Sequence, residues 1–293
     1  MSYAHNFTVG AEMNPTNLQP LTLDEIRVKA PSVFATQPHE SRSARYTFIP
    51  TLPILEFMMK NGFQPFKVSQ SLTRTPGKAA FTKHQIRFRR PEDMVNLKVG
   101  DLLTEVVLTG SHDGTSAYDL GAGAYRTKCS NWLMVAESTV PSVHIKHQGN
   151  VLDNVIEGSY RILGDSKGVV EKAQEWRHLQ LTAGEQQHFA EVAHRMRFGE
   201  ESDTVIKPEQ LLKIRRYDDQ GQDLWTTFNR IQENAIKGGL RARRPDQFDE
   251  NGRFLARGRR TTTREVRGID QDVKLNRNLW TLAEAMAELK KGA

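Results

Sequence analysis

The stretch Leu102-Leu-Thr-Glu-Val-Val-Leu-Thr-Gly-Ser-His-Asp-Gly-Thr-Ser-Ala-Tyr-Asp-Leu120 decides how the first half of this 293-residue chain folds. Its left part is a run of β-formers, a second run begins near Ala117, and Asp113-Gly114 stands between them. Asp-Gly at such a place is a strong hairpin signal, because glycine tolerates the positive φ of a tight turn. A hairpin accounts for Asp113 and Gly114 without chemistry and leaves Ser111, His112, Thr115 and Ser116 to hydrogen bond around the turn. A Ser-His-Asp catalytic arrangement is disfavoured, since nucleophile, base and orienter must meet in space and neighbours on one strand point to opposite faces.

Outward from this hairpin the same texture continues. Segments 63–72, 81–90, 102–109, 117–120, 124–130, 133–138 and 143–146 are short and rich in β-formers, with Gly, Pro or Asp-Gly between most of them. They predict an antiparallel meander. Before it, Thr22-Leu-Asp-Glu25 has capping-box spacing and opens a short helix that stops near Pro31, and 52–60 is apolar at helical spacing up to the cap Asn61-Gly62. Beyond Gly149 the period turns helical, over 151–163, 169–179, 184–198, 208–214, 223–240 and 272–290. The chain therefore reads as α+β: an N-terminal antiparallel β-meander with flanking helices, followed by a helical C-terminal half. The expected division is a flexible arm at 1–20, an α+β domain at 21–150, and a helical region at 151–293 that packs on the sheet and carries an Arg-rich loop at 238–267.

Composition narrows the function. A mean hydropathy of −0.58 and 26% charged residues exclude a membrane protein, and no apolar run approaches the roughly 18 residues that span a bilayer. The start MSYAHNFTVGAEMNP lacks the basic-then-apolar order of a signal peptide, which places the expected protein in the cytoplasm. A single cysteine, Cys129, excludes an internal disulfide and a Cys-based zinc cluster. Two cations near it could lower its pKa, but an inert buried thiol is the simpler expectation. His144 and His147 lie on opposite faces of a strand and make a poor metal pair. No cofactor or metal is implied.

The net charge of +6 is concentrated. Between 237 and 267 stand Lys237, Arg241, Arg243, Arg244, Arg253, Arg257, Arg259, Arg260, Arg264 and Arg267, against Asp246, Asp249, Glu250 and Glu265, an excess equal to that of the whole chain. Arginine dominance favours phosphate or carboxylate recognition, because a guanidinium is a planar bidentate fork. The bland alternative is a solvated linker. A second candidate is the strand Phe81-Thr-Lys-His-Gln-Ile-Arg-Phe-Arg-Arg90. Its alternation puts His84, Ile86 and Phe88 on one side and Lys83, Gln85, Arg87 and Arg89 on the other, a basic stripe that could track phosphates or merely protect a sheet edge. In the helix 223–237, Leu224, Phe228, Ile231 and Ala235 form a core stripe widened by Trp225, leaving Arg230, Glu233, Asn234 and Lys237 for another surface. At the last helix, Asp270 or Asp272 is the N-cap candidate, with Arg264 and Arg267 beside it as an anion site.

Several of these residues carry a resemblance. Pro31-Ser-Val-Phe34, His39-Glu-Ser-Arg-Ser43, Gly62-Phe-Gln-Pro-Phe66, Ser111-His-Asp-Gly-Thr-Ser116, Ile156-Glu-Gly158, Asp223-Leu-Trp-Thr-Thr227, Arg230-Ile-Gln-Glu-Asn234, Ile236-Lys-Gly-Gly-Leu240, Val266-Arg-Gly-Ile-Asp270 and Trp280 resemble the YafZ/YfjQ/YubP-like proteins of domain-of-unknown-function family 932. The resemblance runs from about residue 20 to 290 and implies a prophage or plasmid setting in a bacterial cytoplasm, with no catalytic residue assigned. Two features depart from it: Trp132 stands where a Gly tends to follow the Asn, and Asp246–Phe254 looks like an insert in the basic segment.

Together these features predict a non-enzymatic DNA-binding protein of a mobile element, single-stranded nucleic acid being the favoured partner and annealing one role. The expected contacts are Lys83, Arg87, Arg89, Arg241, Arg243, Arg244, Arg257, Arg259, Arg260, Arg264 and Arg267, with no membrane partner and self-assembly left open. Two alternatives stay open. One is a metal-dependent nuclease or phosphotransfer enzyme using His112, Asp113, Asp270 and Asp272; the other is an interaction module whose arginines meet an acidic protein surface and block a host defence enzyme.

Overall fold

The computed structural model describes residues 19–43, 46–95, 101–127, 131–145, 150–200 and 204–292. Cys129, His147 and nearly all of the expected N-terminal arm lie outside them. The chain is α+β and divides into two compact units, residues 1–133 with 140–166, and residues 134–139 with 167–293.

Strand alternation builds the first unit. β1 (Gln64–Gln70), β2 (His84–Arg89), β3 (Leu102–Gly110), β4 (Asp119–Arg126) and β5 (Asn131–Met134) are neighbours in chain order, and β6 (Val143–His144) also pairs with β4. The register Ile86↔Leu108 and Phe88↔Val106, continued by Leu108↔Leu120 and Val106↔Ala122, lines these buried side chains along one face. Two expected segments, 117–120 and 124–130, meet in the single strand β4, because Gly121 and Gly123 lie inside it instead of breaking it. Gly123 has a packing reason: a Cβ there would sit 2.7 Å from Val107 Cγ2 and 2.9 Å from Arg87 Nη1.

The β3–β4 connection is a hairpin, but a wider one than a two-residue turn. Gly114 has φ 74°, Asp113 Oδ1 accepts from the Thr115 amide at 3.1 Å and its hydroxyl at 2.6 Å, and Ser111 Oγ accepts from the Ser116 amide at 2.9 Å. These bonds satisfy a loop too long to close by backbone pairing alone. α1 (Leu23–Lys29) opens with the Thr22–Glu25 capping box, and α2 (Thr51–Lys60) follows. α3 (Val151–Asp165) belongs with the sheet, so the unit boundary falls at 166 and not at the expected 150. Its Gly158 lies so close to Leu120 and Val143 that a Cβ would be 2.9 Å and 3.1 Å from their side chains.

The stripe on β2 requires a correction. Alternation separates the two faces as the sequence implies, but both are covered. Arg87 and Arg89 are 1% and 2% exposed and converge on the carboxylate of Glu105, with Arg87 Nη1 at 2.9 Å and Arg89 Nε at 2.7 Å. Arg87 Nη1 also donates to the Leu133 carbonyl at 2.9 Å. The Arg89 guanidinium lies 3.9 Å from the Tyr125 ring centre and 4.8 Å from that of Trp132. A phosphate-tracking surface needs exposed cations, and these two are interior.

The second unit is organised by α4 (Lys167–His178), α5 (Ala183–Phe198), α6 (Leu224–Lys237) and α7 (Ile269–Lys291). Trp176, Trp225, Phe228 and Trp280 pack with ring centres 4.8–6.3 Å apart. The core stripe of α6 is buried as its spacing implies, and so is most of the side left for another surface. Arg230 donates to Gln186, Gly221 and Thr227; Glu233 pairs with Arg216 and Lys237; Asn234 donates to the Leu211 and Lys213 carbonyls. Such groups are buried because each has partners there. The expected helix at 208–214 is a 3₁₀ turn, Pro208–Leu212, and α7 begins a turn early with Gly268 as N-cap. Asp270 and Asp272 therefore sit in its first turn, where a carboxylate suits the helix dipole.

Glu105 holds two guanidiniums away from water, so removing its charge leaves both uncompensated. Glu105→Gln is expected to destabilise the first unit by about 3–5 kcal/mol, measured as a shift in the urea unfolding midpoint. A loss below about 1 kcal/mol would show that these charges are solvated.

Candidate nucleic-acid interface

The Arg-rich segment is not a loop. β7 (Arg241–Arg243) pairs antiparallel with β10 (Arg260–Thr262), and β8 (Gln247–Phe248) pairs with β9 (Phe254–Ala256), giving a two-stranded ribbon in two steps. Its turn could have been read from the sequence, where Asn251-Gly252 stands between the pairing runs. The Gly252 amide bonds to the Asp249 carbonyl at 3.0 Å with Gly252 at φ 77°, and Asp249 Oδ1 accepts from the Asn251 and Arg253 amides. The expected insert 246–254 is thus the outer step of the ribbon and its turn.

The register sets the charge geometry. Arg243 lies directly opposite Arg260 and Arg241 opposite Thr262, and residues two apart on a strand share a face. Arg241, Arg243 and Arg260 therefore crowd one face of an exposed ribbon. Like charges directly opposite are destabilising on a sheet unless something between them is negative. Asp246 relieves Arg243 in part, at 3.5 Å. Among the described residues, no ion pair is made by Arg241, Arg244, Arg257, Arg259, Arg260 or Arg264, all of them exposed. Asp246 and Asp249 are turned into the ribbon's own backbone, Asp246 Oδ1 accepting from the Gly258 amide at 2.7 Å.

The root of the ribbon is fixed. The Gly239 amide bonds to the Thr263 carbonyl, Thr263 returns a bond to Leu240, and the Val266 amide bonds to Ile236 at the end of α6. Gln210 holds the Arg241 carbonyl at 2.9 Å, Arg197 holds the Arg264 carbonyl at 3.0 Å, and Arg215 holds that of Gly238. The arginines are thus presented from a paired and anchored backbone.

The remaining candidates separate. Arg267 is exposed and paired with Glu265 at 3.2 Å. Lys83 is half-buried just before β2, where its carbonyl accepts from the Ser71 amide. Arg87 and Arg89 are interior and leave the candidate surface. The carboxylates of the metal-dependent alternative are engaged: Asp113 pairs with Lys78 at 3.2 Å, and Asp272 accepts from Asn276. Among the described residues, no group of three or more His, Cys, Asp or Glu side chains is placed to hold a metal.

His112, from the opening stretch, belongs to a buried polar cluster. Thr51 Oγ1 lies 2.8 Å from His84 Nε2 and 3.1 Å from His112 Nε2 and contacts the Tyr118 hydroxyl, which donates to the Ile49 carbonyl; Ser32 Oγ lies 3.1 Å from His84 Nδ1. Burial, reinforced by the neighbouring imidazole, pushes His84 down to about 3, and burial pushes His112 down to about 4. Burial alone would raise Asp113, but bonds from Thr115 and the Lys78 ammonium outweigh it and hold the carboxyl below its usual range. Two neutral imidazoles around a buried hydroxyl form a structural clasp: the His112 carbonyl accepts from the His39 amide at 3.0 Å, tying 39–43 to the hairpin. Beside it opens a cleft of about 450 Å³ lined by His39, Glu40, Arg42, Gly77 and Phe81.

Comparison with known proteins covers both regions. The family model described as Domain of unknown function (DUF932) matches residues 38–280. Two relatives from Escherichia coli (strain K12), UPF0380 protein YafZ and UPF0380 protein YfjQ, are each 44% identical to this chain over 268 residues, spanning 92% of it and 92% of their own length. No solved structure matches. No helix among the described residues is long and apolar enough to cross a membrane.

The clasp generates a pH dependence. With folded values near 3 and 4 against an ordinary 6.5, the unfolded chain takes up these protons first, so stability is full above about pH 6.5 and falls as the pH drops toward 4. The two histidines contribute a slope of up to about 2.7 kcal/mol per pH unit in that window. Urea midpoints at pH 7.5, 6 and 5 check this, and a flat profile would mean that the imidazoles charge within the fold.

Proposed function

The chain belongs to the DUF932 family, and we propose that it is a nucleic-acid-binding, non-enzymatic member that grips a phosphate backbone with the arginine ribbon. The observation that carries this reading is the face on which Arg241, Arg243 and Arg260 stand together, with Arg243 and Arg260 directly opposed across the strands. A bound phosphate lying between opposed guanidiniums turns a repulsive pair into a bridged one and accepts bidentate bonds from each. A nucleic acid supplies such anions at regular spacing along a ribbon, and its affinity comes from the counterions that neutralised phosphates release. Arg244, Arg257 and Arg259 extend the charge along the same arm. Within the mobile-element setting that the resemblance implies, DNA is the polyanion to test first.

Triple substitution of Arg241, Arg243 and Arg260 by Ala is expected to weaken binding of a labelled DNA oligonucleotide by about tenfold or more at roughly 50 mM salt and to flatten the dependence of log affinity on log salt by about one per lost phosphate contact. Arg87→Ala is expected to act through stability instead, lowering the unfolding midpoint. Absence of binding to DNA or RNA at low salt, or an unchanged salt slope in the triple variant, would overturn the proposal; capture of an acidic protein by the same face would replace it.

A further inference from the structure

The outer step of the ribbon carries a feature that phosphate binding does not use. Phe248 and Phe254 are cross-strand partners, each 58% exposed, with ring centres 6.0 Å apart and planes at 77°. Leu255, next along the strand and so on its other face, is also exposed. Exposing two phenyl rings at the end of a charged arm gives up the burial that either ring would gain in a core. Single exposed apolar residues are ordinary, but a pair held by strand register on one face is a built surface.

The charge on the same arm decides what covers it. Arg253 stands next to the rings, and Arg244, Arg257 and Arg259 follow toward the root; Asp246 and Asp249 bond inward, which leaves Glu250 in the turn as the one exposed acid of this step among the described residues. An apolar protein partner would have to accept a dense cationic rim, whereas a nucleic acid offers anions and flat π-faces on one molecule. In a duplex those faces are already stacked on each other; in a single strand they are free. From this complementarity we infer that Phe248 and Phe254 form a base-stacking platform for single-stranded nucleic acid, the phosphates lying on the arginines and unpaired bases on the rings. The inference rests on the proposed nucleic-acid binding and adds to it the strand state of the ligand and the residues that select it. Stacking tolerates any base, so the platform discriminates single strand from duplex without reading sequence.

The test uses the full chain and two probes: a single-stranded oligothymidine carrying one 2-aminopurine, and the same strand annealed to its complement. Binding is followed by fluorescence anisotropy of an end label, and stacking by the 2-aminopurine emission. The single strand is expected to bind at least about tenfold more tightly than the duplex and to change its 2-aminopurine emission on binding. Phe248→Ala with Phe254→Ala is expected to abolish that change and weaken single-strand binding roughly 5- to 100-fold per ring lost, with the salt slope unchanged. Phe→Trp at the same positions should keep both signals. Because the rings are exposed, melting should be the same in all variants. Failure to bind any nucleic acid would sink the underlying proposal. Binding with a normal salt slope, but indifferent to the two rings or equal for duplex and single strand, would overturn the platform alone; self-association or vesicle binding lost in the Ala variant would assign the rings to another partner.

Discussion

The carboxylate of Glu105 sets the terms for the first unit. It lies between Arg87 and Arg89 at the level where β2 meets β3, and three charged groups on adjacent strands are held out of water by their mutual geometry. Taking charges into an interior is costly, and the cost is tolerable only when an opposite charge is placed closely. Register is therefore not negotiable here: a slip of one residue would turn the guanidiniums to the other face, against Leu108 and Val106. Gly123 leaves room for Arg87, and the Tyr125 and Trp132 rings cover Arg89. At position 132 this chain uses an indole to close over its buried cations, with the Arg87 and Arg89 guanidiniums 5.6 Å and 4.8 Å from the ring centre.

The same residue type meets the opposite fate in the second unit. Arg241, Arg243 and Arg260 also sit on alternating strand positions, but among the described residues their ribbon pairs no third strand, has only the partial relief of Asp246 at 3.5 Å from Arg243, and carries no aromatic lid. A two-stranded ribbon cannot bury either face by itself, so its cations stay in solvent and available to an anion outside the chain. What keeps the ribbon from collapsing is its root, where Gln210, Arg215 and Arg197 hold backbone carbonyls at 241, 238 and 264. The polar side of α6 contributes to that root: Asn234 accepts from Arg215 at 2.7 Å and Glu233 holds Arg216. A helix that reads as half-exposed is buried over most of its surface because its polar groups hold the segments that frame the ribbon.

Much of this was legible in the sequence, and the limit of legibility has one physical cause. The α+β order, the capping box at Thr22, the hairpin around Asp113-Gly114, the core stripe of α6 and the place of the charge excess all depend on local spacing and on intrinsic preferences of residues close in the chain. The ribbon itself was within reach through Asn251-Gly252. Burial is different. Alternation assigns Arg87 and Arg89 to a face, but whether that face meets water depends on Glu105, Tyr125 and Trp132, brought there by pairing between strands distant in sequence. Likewise His112 reads as a turn residue or a catalyst by its neighbours, and becomes part of a clasp only because Thr51 and His84 arrive from elsewhere. The sequence by itself determined which residues share a face; the tertiary structure decided which faces are covered, because a charge is stable inside only where the fold brings its partner.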